Sequence, residues 1–219
     1  MTRTTFEHEM KVLTESLEEM GLQIEHAFDV LFEAIEKMDE NTLQDIIDRD
    51  HLINDMEYNI EGRCLALITR QQPIAKDLRT VYATLKVVTD MERAGDQAAD
   101  IAELFLRLKD TNLSDYSVHI PKMIEETKKL IHNAVDAFVK RDKEAGAAVI
   151  KGDDVVDDLF NKVKEDIVET LKKENCNIDD CVDVLMIAKY LEKVGDHAEN
   201  IGEWEIFQEK GSINEFRLL

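Results

Sequence analysis

The feature that most constrains this chain is that its second half repeats the spacing of its first. An acidic motif, Glu-(Arg/Lys)-x-Gly-Asp, begins at Glu92 and again at Glu192, an offset of 100 residues. Upstream of it, matching residues recur at an offset of 103, as in Met20 and Met123. The change in offset places a three-residue deletion in one connector of the second half, and deletions belong in loops. The chain is therefore predicted to contain two similar units.

Both units show the apolar periodicity of long helices. In the first unit, apolar residues recur three or four positions apart from Phe6 to about Lys37, from about Asp50 to Thr69 and from about Asp77 to Leu108. A short helix, Thr42 to Asp48, is predicted before the second of these, with Asn41 as its N-cap. The chain has only 8 Gly and 2 Pro in 219 residues, which is typical of an almost wholly helical protein. We predict an all-α fold of two tandem three-helix bundles.

The boundary between the bundles is predicted in the segment Thr111 to Ser117. It gives a first three-helix bundle over residues 1–112 and a second over residues 113–219, each large enough to bury a core. Within the first bundle, Pro73 prevents a continuous helix through the connector that leads to the third long helix. The second copy of this connector has no counterpart of the proline, so the two connectors are expected to differ.

The charge of the chain excludes several classes of function. With 48 acidic and 27 basic residues, its net charge is −21 at pH 7. Nucleic acid and anionic membrane surfaces would repel such a chain, whereas cations or basic protein surfaces would attract it. The N-terminus lacks the apolar segment of a signal peptide, and no run of 18 apolar residues occurs, so a soluble cytoplasmic protein is expected. Cys64, Cys176 and Cys181 are predicted to be reduced thiols.

Each acidic motif extends into a ladder of oxygen-bearing side chains on one helix face. Residues four apart lie on the same side of an α-helix. The first ladder is Glu92, Asp96 and Asp100, and the second is Glu192, Asp196 and Asn200. Like charges at this spacing repel one another by a few tenths of a kcal/mol per pair. A ladder that occurs twice at equivalent places therefore indicates that positive charge binds to it.

The second long helix of each unit supplies further candidate ligands. Asp50 and Asn54 lie at the margin of its apolar stripe, and Asp153 and Asp157 occupy the equivalent places in the second unit. In an antiparallel bundle these margins would face the ladders across a surface groove. Each pooled cluster then contains four carboxylates and one carboxamide. Such oxygen-rich sets suit hard or borderline cations, namely Mg²⁺, Ca²⁺, Mn²⁺ or iron.

Other residues near the ladders are judged by comparing the two units. Glu57 shares the margin of the second helix and is an open addition to the first cluster, but Phe160 replaces it in the second unit. His197 is predicted to be solvated rather than a ligand, since its equivalent in the first unit is not a histidine. Gly95 and Gly195 lie beside the carboxylates, where the lack of a side chain would let a neighbouring helix or a ligand come close.

Two alternatives to metal binding by a regulator remain open. In so acidic a chain, three acids at this spacing also arise by chance on solvated faces, and the chain would then be a metal-free helical scaffold. Clustered ions can also activate water, which would make the chain a metal-dependent hydrolase. Against catalysis, the sequence has no Gly-rich phosphate loop, no G-x-S-x-G or H-E-x-x-H motif, and no Glu-x-x-His of a di-iron bundle.

Four segments together carry a resemblance over essentially the whole chain. They are the connector Arg70-Gln-Gln-Pro-Ile-Ala-Lys-Asp-Leu-Arg79, the stretch Asp50 to Met56, and the two Glu-(Arg/Lys)-x-Gly-Asp motifs. In this combination the sequence resembles the PhoU family of phosphate-uptake regulators. The resemblance implies paired three-helix bundles with metal clusters on the acidic faces, holding iron, zinc or other ions.

The resemblance also implies a function without catalysis. Members of the family damp the phosphate-starvation response by contacting the phosphate ABC transporter, through its ATPase subunit, and a sensor histidine kinase. Flat helical faces and exposed motifs favour a homodimer. Carried over by motif, the metal-ligand candidates are Asp50, Asn54, Glu92, Asp96, Asp100, Asp153, Asp157, Glu192, Asp196 and Asn200.

Overall fold

The computed structural model describes residues 3–108, 111–213 and 216–217. These residues form the helices α1 (Arg3–Lys37), α2 (Glu40–Arg49), α3 (His51–Gln71), α4 (Lys76–Arg107), α5 (Ile120–Lys140), α6 (Lys143–Thr170) and α7 (Ile178–Lys210). A 3-10 turn, Leu113–Asp115, lies between α4 and α5, and two-residue strands β1 (Ser212–Ile213) and β2 (Phe216–Arg217) pair antiparallel after α7. The predicted all-α fold is confirmed. The outer ends of the two predicted domains, residues 1–2 and 218–219, lie outside the described residues.

The second helical segment is built differently in the two halves. In the first half, α2 and α3 are separated by Asp50 alone, whose backbone is itself helical. In the second half, the equivalent segment is the single continuous helix α6. Each segment begins at an aspartate cap, Asp39 for α2 and Asp142 for α6, an offset of 103 residues.

The predicted N-cap Asn41 is wrong, because α2 already begins at Glu40. The residue before it, Asp39, has extended backbone, and its carboxylate accepts hydrogen bonds from the amide (3.3 Å) and the hydroxyl (2.8 Å) of Thr42. An aspartate in extended backbone can accept from the free amides of a first helical turn. Asn41 lies inside that turn.

Helices α1 to α4 form one bundle and α5 to α7 the other, and they pack mainly through α4 against α7 and α1 against α5. Buried side chains form one hydrophobic core that extends through both bundles. On α4 the core side chains are those that helical periodicity predicts, namely Val87, Met91, Ala94, Ala98, Ile101 and Phe105. Within the described ranges, no helix has both the length and the apolar composition needed to cross a bilayer.

The contact between α4 and α7 is reciprocal. Asp90 of α4 accepts a hydrogen bond from Asn200 Nδ2 of α7 at 3.1 Å, and Asp100 of α4 accepts one from the Tyr190 hydroxyl of α7. Positions 90 and 190 are equivalent in the repeat, as are 100 and 200. The two helices are therefore antiparallel, and the bundles face each other through equivalent surfaces, like subunits of a two-fold dimer.

The expectation of a solvated His197 is wrong. Its Nδ1 lies 2.9 Å from Oδ1 of Asp90, and the side chains of the pair are only 14% and 11% exposed. Antiparallel packing of α4 and α7 brings the two residues together across the bundle interface, which the spacing along one helix does not reveal.

Candidate metal centre

The first acidic cluster forms where α3 packs closely against α4. A Cβ atom at Gly95 would lie 2.9 Å from Cδ1 of Ile53, so the missing side chain allows this approach, as predicted. Asp50, at the junction of α2 and α3, contacts both Asn54 and Asp96. The structure therefore brings the margin of the second helix together with the ladder of the third.

Burial and mutual repulsion raise the pKa values of this cluster. The pKa of Glu92 rises to about 7 because its carboxyl group is partly buried and lies near Asp96, Glu57 and Asp50. The pKa of Asp96 rises to about 6, first through burial and then through Asp50 and Asp100. Burial also raises the pKa of Asp50. Glu57, an open candidate from the sequence, belongs to this electrostatic cluster.

In the second cluster, carboxylate oxygens converge between α6 and α7. One carboxylate oxygen from each of Asp153, Asp157 and Asp196 lies within 4.8 Å of the other two. A Cβ atom at Gly195 would overlap Oδ1 of Asp153, so the glycine leaves the room that this aspartate occupies. Asp153 is only 6% exposed. Its pKa rises to about 7 through burial, followed by repulsion from Asp157, Glu199, Asp196 and Glu192.

Two residues of the second cluster were not predicted from the sequence. Glu199 is close enough to Asp153 to raise its pKa, although the equivalent residue of the first ladder is Ala99. Its position three residues after Asp196 places it on the same helix face, a signal that sequence reasoning could have used. Lys189 forms an ion pair with Glu192. Burial and the Glu192 charge raise the pKa of Asp157, and the Lys189 charge offsets only part of that rise.

The last residue of each ladder, Asp100 in the first and Asn200 in the second, lies at the interface between the bundles. Asp100 accepts from Tyr190, and the amide nitrogen of Asn200 donates to Asp90. Asp100 is still close enough to Asp96 to raise its pKa, whereas the described hydrogen bond of Asn200 is directed towards α4. A ligand role for the carbonyl oxygen of Asn200 stays a prediction.

Several oxygens in the two clusters lack a hydrogen-bond donor. Among the described residues, Oδ1 of Asp50, Oδ1 of Asn54 and Oδ1 of Asp153 are buried and without a partner. Asp50 and Asp153 are equivalent in the repeat. A buried polar atom without a partner is costly, and native structures satisfy nearly all of them. These oxygens and the neighbouring carboxylates fit a hard or borderline cation in each cluster.

Comparison with known proteins gives one consistent family. The PhoU domain model matches residues 17–105 and 120–204. A phosphate-specific transport system accessory protein PhoU homolog of Clostridium acetobutylicum is 36% identical over 208 residues, covering 94% of this chain and 95% of that protein. PhoU homolog 1 of Thermotoga maritima is 30% identical, covering 96% and 92%.

Solved structures agree with these relatives. The crystal structure of PhoU from Pseudomonas aeruginosa matches with a TM-score of 0.90 and 28% identity, covering 94% of this chain and all of that one (100%). The phosphate transport system regulatory protein PhoU from Streptococcus pneumoniae matches with a TM-score of 0.88 and 25% identity, covering 96% and 100%. The similarity therefore extends over both bundles.

Proposed function

The chain belongs to the PhoU family, and from this premise we propose that it is a non-enzymatic regulator of phosphate uptake that binds metal ions in its two acidic clusters. Its relatives are named as accessory or regulatory proteins of phosphate transport, and an accessory role in phosphate transport follows from membership. The metal sites, the partners and the cytoplasmic location are the finer parts of the proposal.

The observation that carries the metal sites is the equivalence of Asp50 and Asp153. Asp153 is buried and Asp50 is half-buried. Each has one buried oxygen that lacks a donor, and each lies near carboxylates of the acidic motif of its own bundle. A bound cation would supply the positive charge that these carboxylates lack. The aspartates would bind it, and Glu92 and Glu192 would complete the charge balance from the preceding turns of α4 and α7. Iron, zinc, manganese, magnesium and calcium all remain candidates.

The metal sites are tested with Asp153→Asn, because the substitution has opposite effects with and without metal. In chelator-treated protein the amide removes a repelled, buried negative charge, so the variant should melt at a higher temperature than the wild type. With Mn²⁺, Fe²⁺, Zn²⁺, Mg²⁺ or Ca²⁺ added, the wild type should gain more stability, because the variant has lost a charged ligand. Asp158→Asn, at an exposed position on the same helix, is the matched control.

The outcome distinguishes the alternatives. Native-purified protein without bound metal, and melting curves that no added ion shifts, would reject the metal sites and leave a metal-free scaffold. Phosphatase activity that Asp96→Ala and Asp196→Ala abolish would instead support the metal-dependent hydrolase.

For partners we propose the ATPase subunit of the phosphate ABC transporter and a sensor histidine kinase, contacted by a homodimer. The connector between α3 and α4 supports a contact surface in the first bundle. Its Ile74 is 78% exposed, and the flanking Gln72 and Ala75 have positive φ angles of 48° and 47°. Non-glycine residues in such backbone are strained and concentrate at functional sites.

The partner proposal is tested by capture of purified ATPase subunit and purified kinase by the immobilised chain, in phosphate-free and phosphate-containing buffer. Ile74→Asp should weaken capture, because it places a charge on the exposed apolar tip of the connector. Leu22→Asp, on an exposed position of α1 (64%), is the control and should capture normally. Capture of neither protein by the wild type would reject these partners.

A further inference from the structure

Two of the three cysteines lie on either side of the first turn of α7. Asn177 is the N-cap of this helix, and its side chain accepts a hydrogen bond from the Asp179 amide at 3.2 Å. Cys176 immediately precedes the cap, and Cys181 is the fourth residue of the helix. Side chains at these two positions commonly pack against each other and set the direction from which the chain enters a helix. Here both side chains carry thiols.

The thiols touch, and one of them is accessible. The Sγ atoms of Cys176 and Cys181 are 2.9 Å apart. Cys181 is fully buried, whereas Cys176 is half-buried and lines an open cavity of about 530 Å³ between the start of α7 and the segment after α4. The remaining cysteine, Cys64, is buried on α3 in the other bundle. A small oxidant can therefore approach the pair from the Cys176 side.

We propose that Cys176 and Cys181 are a redox-active dithiol that peroxide converts to a disulfide. The thiolate of Cys176 attacks one oxygen of hydrogen peroxide, the O–O bond breaks, and the departing hydroxide takes up a proton to leave as water. The sulfur of Cys181 then attacks the resulting sulfenic acid, loses its proton, and the S–O bond breaks with release of a second water. Two thiols are oxidised by two electrons, and the peroxide is reduced to water.

The order of attack follows from burial. Burial, together with the neighbouring Cys176 and Asp180, raises the pKa of the Cys181 thiol to about 12. A thiol with so high a pKa is a poor nucleophile towards peroxide. Attack on the adjacent sulfenic acid is less demanding, because the two sulfur atoms are already in contact.

The pair also lies where the two bundles are joined. Asp180, next to Cys181, accepts hydrogen bonds from the Tyr116 hydroxyl at 2.9 Å and the Thr111 hydroxyl at 3.0 Å. Both donors belong to the segment between α4 and α5. A disulfide across the first turn of α7 would hold Asp180 in place, and the oxidised chain should bind this segment more firmly.

The test is peptide mapping of the full chain after hydrogen peroxide treatment, alkylation under denaturing conditions and trypsin digestion. Both cysteines fall in one tryptic peptide, Glu174 to Lys189, whereas Cys64 falls in another, Cys64 to Arg70. We expect the first peptide to lose two hydrogen atoms and to escape alkylation, while Cys64 stays fully alkylated. Dithiothreitol should reverse the change. Oxidation of all three cysteines alike, or a sulfinic acid at Cys176 without a disulfide, would overturn the proposal.

A variant identifies the order of the two thiols. In Cys181→Ser no second thiol is available, so peroxide should leave a sulfenic acid on Cys176 that dimedone labels, whereas the wild type should show almost no label. Labelling that is equal in the two proteins would contradict the pairing, and the wild-type map remains decisive if the variant does not fold. Hydrogen exchange of the amides of residues 111–117 should slow on oxidation, and unchanged exchange would show that the disulfide does not hold this segment.

Discussion

The two acidic clusters share a motif but differ in the residues around it. In the first cluster, Glu57 of α3 contacts the Thr89 hydroxyl and adds negative charge beside Glu92. In the second, Phe160 and Lys189 occupy the equivalent positions, and the Lys189 ammonium lies 5.3 Å from the Phe160 ring centre while pairing with Glu192. Lys189 thus neutralises part of the negative charge of the second cluster. The first cluster has the uncharged Thr89 at the equivalent position.

The helices that carry Asp50 and Asp153 also differ between the two clusters. Asp50 lies at the junction of two helices, whereas Asp153 lies inside a continuous helix and is held against Gly195. Asn54 of the first cluster corresponds to Asp157 of the second, whose carboxylate converges with two others. The two units therefore share the motif on the third helix, while ligand number and charge balance depend on the residues around it on both helices. Because three carboxylate oxygens already converge in the second cluster, we expect it to bind a cation more tightly than the first.

The largest expected effect compares Asp153→Asn with Asp50→Asn. At a metal concentration of about 100 times Kd, one occupied site raises the free energy of unfolding by about 3 kcal/mol. The tighter site is occupied first, so Asp153→Asn should lose most of the stabilisation that the wild type gains at low metal concentration. Asp50→Asn should lose only the additional stabilisation that the wild type gains at higher metal concentration. Denaturant unfolding at several metal concentrations measures both, with elemental analysis of bound metal alongside. A larger loss in Asp50→Asn would reverse the assigned order of the sites.

The two bundles also differ at one equivalent buried position. The second bundle has a carboxyl group there, and the first has an aromatic ring. Glu205 is fully buried, and its equivalent by the repeat is Phe105. Burial raises the pKa of Glu205 from 4.5 to about 7. The folded chain then binds this proton more tightly than the unfolded chain, so the free energy of unfolding decreases as the pH rises from 4.5 towards 7.

Glu205→Gln tests this asymmetry because glutamine cannot ionise. At pH 8 the variant should exceed the wild type by up to about 3 kcal/mol in the free energy of unfolding. The difference should shrink as the pH falls through about 7 to below 4.5, where the wild-type side chain is neutral in both the folded and the unfolded state. Chelator-treated protein, unfolded with denaturant across this pH range, gives the comparison. A difference that does not change with pH would show that Glu205 keeps its ordinary pKa.

Next in size are the two reciprocal hydrogen bonds between α4 and α7. Tyr190→Phe removes the donor to Asp100, and Asn200→Ala removes a donor to Asp90. Each should reduce the free energy of unfolding by about 1.5 kcal/mol, since each takes one partner from a carboxylate that is buried (Asp90) or half-buried (Asp100). Tyr58→Phe, at a position 69% exposed, is the control for loss of a hydroxyl. Equal stability of Tyr190→Phe and Tyr58→Phe would contradict the reciprocal interface.

The smallest expected difference concerns the equivalent helix caps. Asp142 accepts from the amides of Glu144 at 3.1 Å and Ala145 at 3.0 Å, whereas Asp39 accepts from the amide of Thr42 at 3.3 Å. Replacing either aspartate by alanine should cost about 1 kcal/mol, and Asp142→Ala should cost the more. Denaturant unfolding of the two variants side by side measures this. The reverse order would mean that the hydroxyl of Thr42 compensates for the missing amide contact.

Much of the fold was predictable because it depends on local patterns. The apolar stripe of α4, the margin position of Asp50 and the close approach at Gly95 and Gly195 all follow from helical periodicity and from the absence of a side chain. The predictions that were wrong involve a choice between neighbouring positions or a partner from the other bundle. Asn41 was predicted as the N-cap of α2, but the cap is Asp39, two residues earlier. His197 was predicted to be solvated, but it pairs with Asp90 across the interface.

By itself the sequence determined the helices, the two-fold repetition and the four carboxylates that each unit offers, because periods of three to four residues along a chain report which face of a helix is apolar. Only the tertiary structure decided that Asp100 and Asn200 face the opposite bundle, that His197 pairs with Asp90, and that two thiols meet at the start of α7. The reason is physical. Contacts between helices depend on crossing angles and on which small residues allow close approach, and these are properties of the packed molecule.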